Sequence, residues 1–219
     1  MQINPQLIHT LSLLMILTSF AAVEARNLRH STVAYMAQAL LICGLLLAYS
    51  VQNSALLYWA ATALVTKAIL VPWFLWRSTA GAEQEMKPAV GFGVSAVLLI
   101  ALASAMYKLT HMHAALFVNA GELAQIAETN LAVAFTVFFL GLYAILTRRD
   151  AIKTVIGLCL LENGVHLSLV SLAPTIKETA LAGIATEVVV TVYLLLYIIG
   201  GIREKFGSTD TSQLTELHW

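Results

Sequence analysis

The chain has 219 residues, of which 59% are hydrophobic and only 11% are charged, and its mean hydropathy is +0.83. Because soluble domains carry about 25% charged residues, this composition excludes an ordinary water-soluble fold. Twelve basic and twelve acidic residues cancel, which argues against nucleic-acid binding, since such proteins show a basic patch or stripe. We therefore expect an integral membrane protein that has the lipid bilayer, and no nucleic acid, as its surroundings.

Seven apolar runs reach the length of about 20 residues that a helix needs to cross the hydrocarbon core. The first run ends in Val23-Glu24-Ala25, which resembles a signal-peptidase site, but no basic residue precedes it, so we expect the helix to be retained. The predicted fold class is an all-α polytopic membrane protein with about seven transmembrane helices. In chain order the runs are Leu7–Val23, Thr32–Val51, Ala55–Trp76, Ala89–Leu109, Leu131–Thr147, Ala151–Leu172 and Thr179–Ile202.

The basic residues outside these runs, or at their ends, are distributed unevenly between the two sides of the predicted membrane. Only Lys108 and Lys177 fall on one side. Since cytoplasmic loops are enriched in Lys and Arg, we expect the N-terminus outside and the C-terminus in the cytoplasm. The residues on the other side are Arg26, Arg29, Arg77, Lys87, Arg148, Arg149, Lys153, Arg203 and Lys205.

The cysteines and histidines predict no redox centre on this chain. Cys43 and Cys159 are far apart within apolar runs and no CxxC motif occurs, so neither a disulfide framework nor an iron–sulfur site is expected. His111 and His113 form an HxH pair, but a metal site needs three or four ligands, and no others are near in sequence. His166 alone is deep within a run, which argues against a haem held by two histidines. We expect no metal and no cofactor.

Three ionisable side chains, Lys67, Glu162 and Glu187, lie deep within the third, sixth and seventh runs. Each costs about 2.5 to 3.5 kcal/mol at the bilayer centre, and such groups usually face a protein interior and mark ion or proton pathways. This is the strongest functional signal in the sequence. Together with His166, these residues are the candidate proton-transfer residues.

Glu162 shares one helical face with Cys159, Asn163 and His166, so this polar stripe should face another helix or a hydrated cavity. A carboxyl group can load and release a proton when desolvation is balanced by a nearby cation, and Lys67 is the candidate cation. The unperturbed pKa of histidine, near 6.5, suits His166 to a relay. Two alternatives stay open: Lys67 and a glutamate form an assembly clamp without transport, or His166 makes a helix–helix hydrogen bond.

The second half of the chain resembles the K subunit of bacterial complex I, over roughly residues 125–219. In that family a basic pair and a short turn lead into an I-G-L-E-x-x-x-N helix, which Arg148–Asp150 and Ile156–Asn163 resemble. Gly183–Glu187 is similar to the family's third helix with its second buried glutamate, and Thr211–Leu217 to its polar tail. Where the family places its first glutamate this chain has Cys159, and its own acid follows one turn later.

Nearly the whole chain resembles the hydrogenase-4 component E family of membrane subunits from formate hydrogenlyase and related group 4 complexes. The matching segments are Thr66–Pro72, Leu161–Leu167 and Gly183–Thr186. The resemblance implies a four-helix N-terminal extension over residues 1–124, a three-helix K-like region over 125–206 and a cytoplasmic tail over 207–219.

The same resemblance implies a non-catalytic subunit of a membrane-bound [NiFe] hydrogenase in the bacterial cytoplasmic membrane, contributing to proton translocation coupled to electron transfer. Its expected partners are antiporter-like and anchor membrane subunits and the soluble [NiFe] and iron–sulfur subunits. Two other functions stay open. One is a free-standing ion or proton transporter, although no repeat and no paired helix interruptions are evident. The other is a purely structural spacer of the membrane arm.

Overall fold

A computed structural model describes residues 5–51, 54–80, 90–113, 124–172, 178–211 and 214. Almost all of these residues are helical, and α3, a π-helical segment and α4 follow one another without a break. The elements are α1 (Pro5–Glu24), α2 (Leu28–Tyr49), α3 (Ala55–Ala63), the π-helical segment (Leu64–Leu70), α4 (Val71–Ser78), α5 (Phe92–Met112), α6 (Ala124–Thr147), α7 (Ala151–Leu172) and α8 (Glu178–Phe206).

The all-α polytopic membrane fold predicted from the sequence is confirmed. The predicted seventh span falls within α8, which has 29 residues and whose side chains the structure describes from residue 187 onward. Six other helical stretches among the described residues are long and apolar enough to cross a membrane: Gln6–Glu24, Leu28–Tyr49, Ala55–Ser78, Phe92–Met112, Ile126–Thr147 and Ala151–Leu172.

The third membrane helix changes from α to π geometry just before Pro72. Proline has no backbone N–H and its ring clashes with the carbonyl four residues earlier, which here belongs to Ala68. The amide of Val71 bonds the carbonyl of Thr66, five residues back, so the helix is locally widened. A π-helical turn of this kind is rare and occurs frequently at functional sites. It places Lys67 at the middle of the widened segment.

Helices α6 and α7 are in backbone contact because glycine occupies their crossing. A Cβ atom added to Gly164 would lie 2.6 Å from the amide nitrogen of Phe138 and 2.7 Å from the carbonyl oxygen of Ala134. A Cβ atom on Gly141 would lie 2.6 Å from the carbonyl oxygen of Gly157. Small residues allow membrane helices to approach closely where lipid supplies no hydrophobic driving force. These glycines therefore fix where α7 lies.

The loop before α7 is held by Asp150, which caps that helix. Its carboxylate accepts hydrogen bonds from the amides of Ile152 at 2.7 Å and Lys153 at 3.3 Å, and from the Thr209 hydroxyl at 2.6 Å. Burial raises the pKa of Asp150, and these three hydrogen bonds act in the opposite direction. The carbonyl of Thr209 also accepts from the amide of Ala151 at 3.0 Å. The chain after α8 is thus docked against this loop.

Lys153 is buried, with 4% exposure, although the sequence placed it among the loop charges. Its Nζ lies 3.0 Å from the carbonyl oxygens of Ala22 and Val23, 2.6 Å from that of Ala25 and 2.6 Å from Ser31 Oγ. The last carbonyls of a helix have no partners within the helix. Lys153 supplies those partners at the end of α1, which explains its burial.

The first two helices pack directly against α6 and α7. Met15 of α1 and Leu46 of α2 share one apolar cluster with Val137 of α6 and Val170 of α7. A second cluster joins Tyr35 of α2 to residues of α4, α6, α7 and α8. The centre of α7 is therefore surrounded by other helices on most sides.

Candidate functional site

Lys67 lies near mid-length of the third membrane helix and is almost fully buried, with 1% exposure. Its Nζ is 2.7 Å from Asn163 Oδ1, 2.5 Å from His166 Nδ1 and 3.2 Å from Glu162 Oε1. All three partners lie on α7. The widened π-helical segment thus presents a lysine to the polar stripe that the sequence predicted around Glu162.

His166 contacts both charged side chains of the cluster. A protonated Lys67 only donates hydrogen bonds, so it pairs with the Nδ1 lone pair of a neutral His166 ring. The other ring nitrogen, Nε2, lies 3.4 Å from Glu162 Oε1. The edge of the ring packs against Trp59, with ring centroids 5.3 Å apart. His166 therefore lies beside the Lys67–Glu162 ion pair and contacts both of its members.

Gln38 belongs to the same cluster, although it is not among the predicted proton-transfer residues. Asn163 Nδ2 donates to Gln38 Oε1 at 2.7 Å, and both side chains are fully buried. Their hydrogen bond ties α2 to α7 at the depth of Lys67. The available signal was an amide side chain in the middle of the apolar second run, where a polar group needs a partner.

Glu162 differs from its neighbours because it is partly accessible. Its side chain is 26% exposed, whereas Lys67 is 1% exposed. It faces a groove of about 300 Å³ between α7 and α8. The wall is mainly aliphatic, and its polar members are Cys159, Glu162, His166, Glu187 and Thr191.

Glu187 lies on the α8 side of this groove and is exposed, whereas a buried carboxylate was predicted at this position. The buried stripe of α8 contains Val188, Val192 and Leu196. Consecutive helical residues are about 100° apart around the axis, which turns Glu187 away from that stripe and into the groove. The structure therefore brings Lys67, Glu162 and His166 into direct contact and places Glu187 on the opposite wall.

The K-subunit family has its glutamate at the position of Cys159, whereas this chain has its acid at Glu162, and both side chains line the same groove. Cys159 and Glu162 are one helical turn apart and both line it. A carboxylate at either position therefore reaches the same space.

The histidine pair near the end of α5 has a simple local contact. His111 Nδ1 lies 2.6 Å from Glu128 Oε1. Within the described ranges, no group of three or more His, Cys, Asp or Glu side chains is arranged to hold a metal ion.

Comparison with known proteins gives consistent results for the two parts of the chain. Residues 129–219, which include α7 and α8, match the sequence family NADH-ubiquinone/plastoquinone oxidoreductase chain 4L. Over 215 residues the chain is 30% identical to Hydrogenase-4 component E of Escherichia coli (strain K12), covering 96% of this chain and 97% of that protein. The same values hold for the Shigella flexneri protein of that name.

A more distant relative is an uncharacterized protein of Mycobacterium tuberculosis, which is 24% identical over 212 residues, covering 93% of this chain and 92% of that protein. No solved structure matches the chain.

Proposed function

Because the chain belongs to the hydrogenase-4 component E family, we propose that it is a non-catalytic membrane subunit of a [NiFe] hydrogenase or formate hydrogenlyase-type complex that helps to translocate protons. The match of its second half to chain 4L of NADH-ubiquinone/plastoquinone oxidoreductase supports a place in a complex I-like membrane arm. Electron transfer and hydrogen chemistry then belong to the soluble [NiFe] and iron–sulfur subunits. Antiporter-like and anchor subunits are its membrane partners.

The position of Glu162 carries this proposal. One side of its carboxylate contacts the buried Lys67 ammonium at 3.2 Å, and the other side opens to the groove that Glu187 also lines. A group placed between a buried cation and an accessible cavity has a partner in its charged form and a route for its proton. Glu162 and Glu187 are the proposed protonation sites.

The Lys67 cluster allows Glu162 to change charge without leaving a buried ammonium unpaired. When the carboxylate takes up a proton, its attraction to Lys67 is lost, but Asn163 and His166 still accept hydrogen bonds from Nζ at 2.7 and 2.5 Å. An uncompensated buried charge would otherwise be costly. His166, whose Nε2 faces Glu162, is proposed to relay protons within this cluster.

The distribution of basic residues supports an orientation with the N-terminus outside and the C-terminus in the cytoplasm of the bacterial inner membrane. In that orientation Arg148, Lys153 and the segment after α8 lie on the cytoplasmic side, next to the proposed soluble subunits.

A structural clamp is the second candidate role, and a specific observation favours it. Lys67 and Gln38 each join a different helix to α7 through buried polar contacts. A clamp predicts loss of assembly when these contacts are removed, and no effect on proton movement in any variant that assembles.

We expect Glu162→Gln to reduce proton translocation at least tenfold in the assembled complex, because removing a positioned proton-transfer group typically costs a hundredfold or more. The glutamine keeps the shape of the side chain and can still accept a hydrogen bond from Lys67. The measurement is proton uptake into sealed vesicles, recorded alongside hydrogen turnover and subunit content. Glu187→Gln should give the same phenotype.

Glu204→Gln is the matched control, because it removes an exposed carboxylate from the same helix as Glu187 but outside the groove. Normal proton translocation in fully assembled Glu162→Gln and Glu187→Gln complexes would refute the proposed role and leave the spacer or the clamp.

A further inference from the structure

A buried polar stripe follows the half of α2 that begins at the end of the bundle carrying Arg148 and Lys153, here called the basic end. The stripe consists of Ser31, Tyr35 and Gln38, and none of the three side chains is exposed. Residues three or four apart lie on one face of a helix. They are therefore about 6 and about 4.5 Å apart along the axis, at 1.5 Å per residue.

Each end of this stripe makes a hydrogen bond to a polar group on α7. At the basic end, Ser31 Oγ lies 2.6 Å from the Lys153 ammonium. At mid-membrane, Gln38 bonds Asn163, which in turn accepts from Lys67. The stripe thus lies between the loop region and the Lys67 cluster, inside the bundle.

Two polar groups of the stripe have no hydrogen-bond partner among the described residues. They are the Nε2 amide of Gln38 and the hydroxyl of Tyr35, which lies close to Cys159 and Asn163 but makes no hydrogen bond of ordinary geometry with either. Native proteins rarely leave such groups unpaired, and ordered water is the usual partner where protein atoms supply none. Both groups are therefore candidate water contacts in the basic half of the bundle.

The opposite half of the same helix face is apolar. Ile42, Leu45 and Leu46 continue the face beyond Gln38, and the cavity they form beside His166 measures only about 10 Å³. Tyr49, at the far end of α2, is paired, since its hydroxyl accepts a hydrogen bond from Asn130. Among the described residues of this α2 face, the polar side chains therefore continue from Gln38 towards the basic end and not towards Tyr49.

Charge at the outer end of the stripe is balanced. Lys153 and Arg148 lie together with two carboxylates, Glu24 and Asp150, and Glu24 pairs directly with Arg148. The ammonium of Lys153 is fixed by the carbonyl groups at the end of α1. Glu24 and Asp150 therefore offset the charges of Arg148 and Lys153 at this point.

We propose that Ser31, Tyr35 and Gln38 line a one-ended file of water that delivers protons from the basic end to Glu162. This inference rests on the proposed function. Each water accepts a proton from its neighbour and passes on another, the Tyr35 hydroxyl does the same, and the carboxylate of Glu162 accepts the last proton. Gln38 and Asn163 position the water and exchange no proton.

Radiolytic footprinting of the whole complex in H₂¹⁸O tests the water file without reference to transport. Hydroxyl radicals formed from water beside a buried side chain label it, and mass spectrometry locates the label. We expect ¹⁸O on Tyr35 but not on Met15, an equally buried and more reactive side chain that packs in an apolar cluster. Labelling of Tyr35 no greater than that of Met15 would overturn the proposal.

Tyr35→Phe tests proton delivery, because it removes only the hydroxyl and leaves the described contacts of Lys67 in place. We expect proton translocation to fall roughly tenfold, less than the hundredfold typical of a group that transfers the proton directly, since water partly replaces the hydroxyl. Tyr49→Phe, the matched control, should leave transport unchanged. Transport at the unsubstituted level in Tyr35→Phe would refute the delivery role.

The two tests separate this inference from the function on which it rests. A labelled Tyr35 in a complex whose Glu162→Gln variant still translocates protons supports the water file and refutes the role of Glu162. An unlabelled Tyr35 in a complex whose Glu162→Gln variant no longer translocates protons refutes the water file and supports the role of Glu162.

Discussion

Lys67→Met is expected to lower the free energy of unfolding by about 3 kcal/mol and to abolish proton translocation. Breaking one side of a buried ion pair costs roughly 3 to 5 kcal/mol, and the lower value applies because Glu162 is partly accessible. The substitution also removes the hydrogen-bond donor to Asn163 and His166. The free energy can be measured by denaturant titration of the purified chain in lipid–detergent micelles. Lys108→Met, which removes an exposed lysine from α5, is the control.

The double variant Lys67→Met/Glu162→Gln separates conduction from clamping. With both charges removed, neither is left unpaired, so part of the lost stability should return, as a double-mutant cycle would show. Proton translocation should not return, because no carboxylate remains at position 162. If the double variant regained transport along with stability, the ion pair would be an assembly clamp.

Gly164→Ala is expected to destabilise the chain by about 2 to 3 kcal/mol, near the upper end of the usual cost of overpacking. The new methyl group would meet the backbone of α6 at 2.6 and 2.7 Å, and a helix backbone cannot yield as a side chain can. Because Asn163 and His166 flank this position, displacement of α7 should also weaken their contacts with Lys67. The measurements are the unfolding free energy and proton translocation in the same preparation.

Gly93→Ala is the matched control for this substitution. Gly93 also lies within a membrane helix, but an added Cβ would meet no atom of the described residues within 4 Å. Its effect should stay below about 1 kcal/mol, the range set by helix propensity. If Gly164→Ala and Gly93→Ala lowered the unfolding free energy equally, the close α6–α7 contact would not determine the stability of the chain.

The membrane helices could be predicted from the sequence because the bilayer imposes one physical requirement, a long apolar run, on each helix. The predicted sixth run, Ala151–Leu172, coincides with α7. Lys67, Glu162 and His166 could be selected because ionisable groups in apolar runs are rare and need partners. That all three meet at one point depends on helix packing, which hydropathy does not contain.

Other features were missed for reasons that can be stated. Lys153 looked like a loop charge because its partners are backbone carbonyls of α1, and backbone groups leave no mark in a sequence pattern. Glu187 was expected to be buried because depth along a helix was the only information, whereas its exposure depends on which face α8 turns inward. Pro72 was a usable signal for the π-helical segment, since an internal proline must disturb the helix.

Infrared difference spectroscopy of the assembled complex tests the role of Glu162 most directly, because it detects the proton on the carboxyl group itself. Turnover in lipid should produce a C=O stretching band of a protonated carboxyl group that shifts in D₂O and is missing in Glu162→Gln. The band should remain in Glu204→Gln. A turnover-dependent carboxyl spectrum that is identical with and without Glu162 would contradict the account.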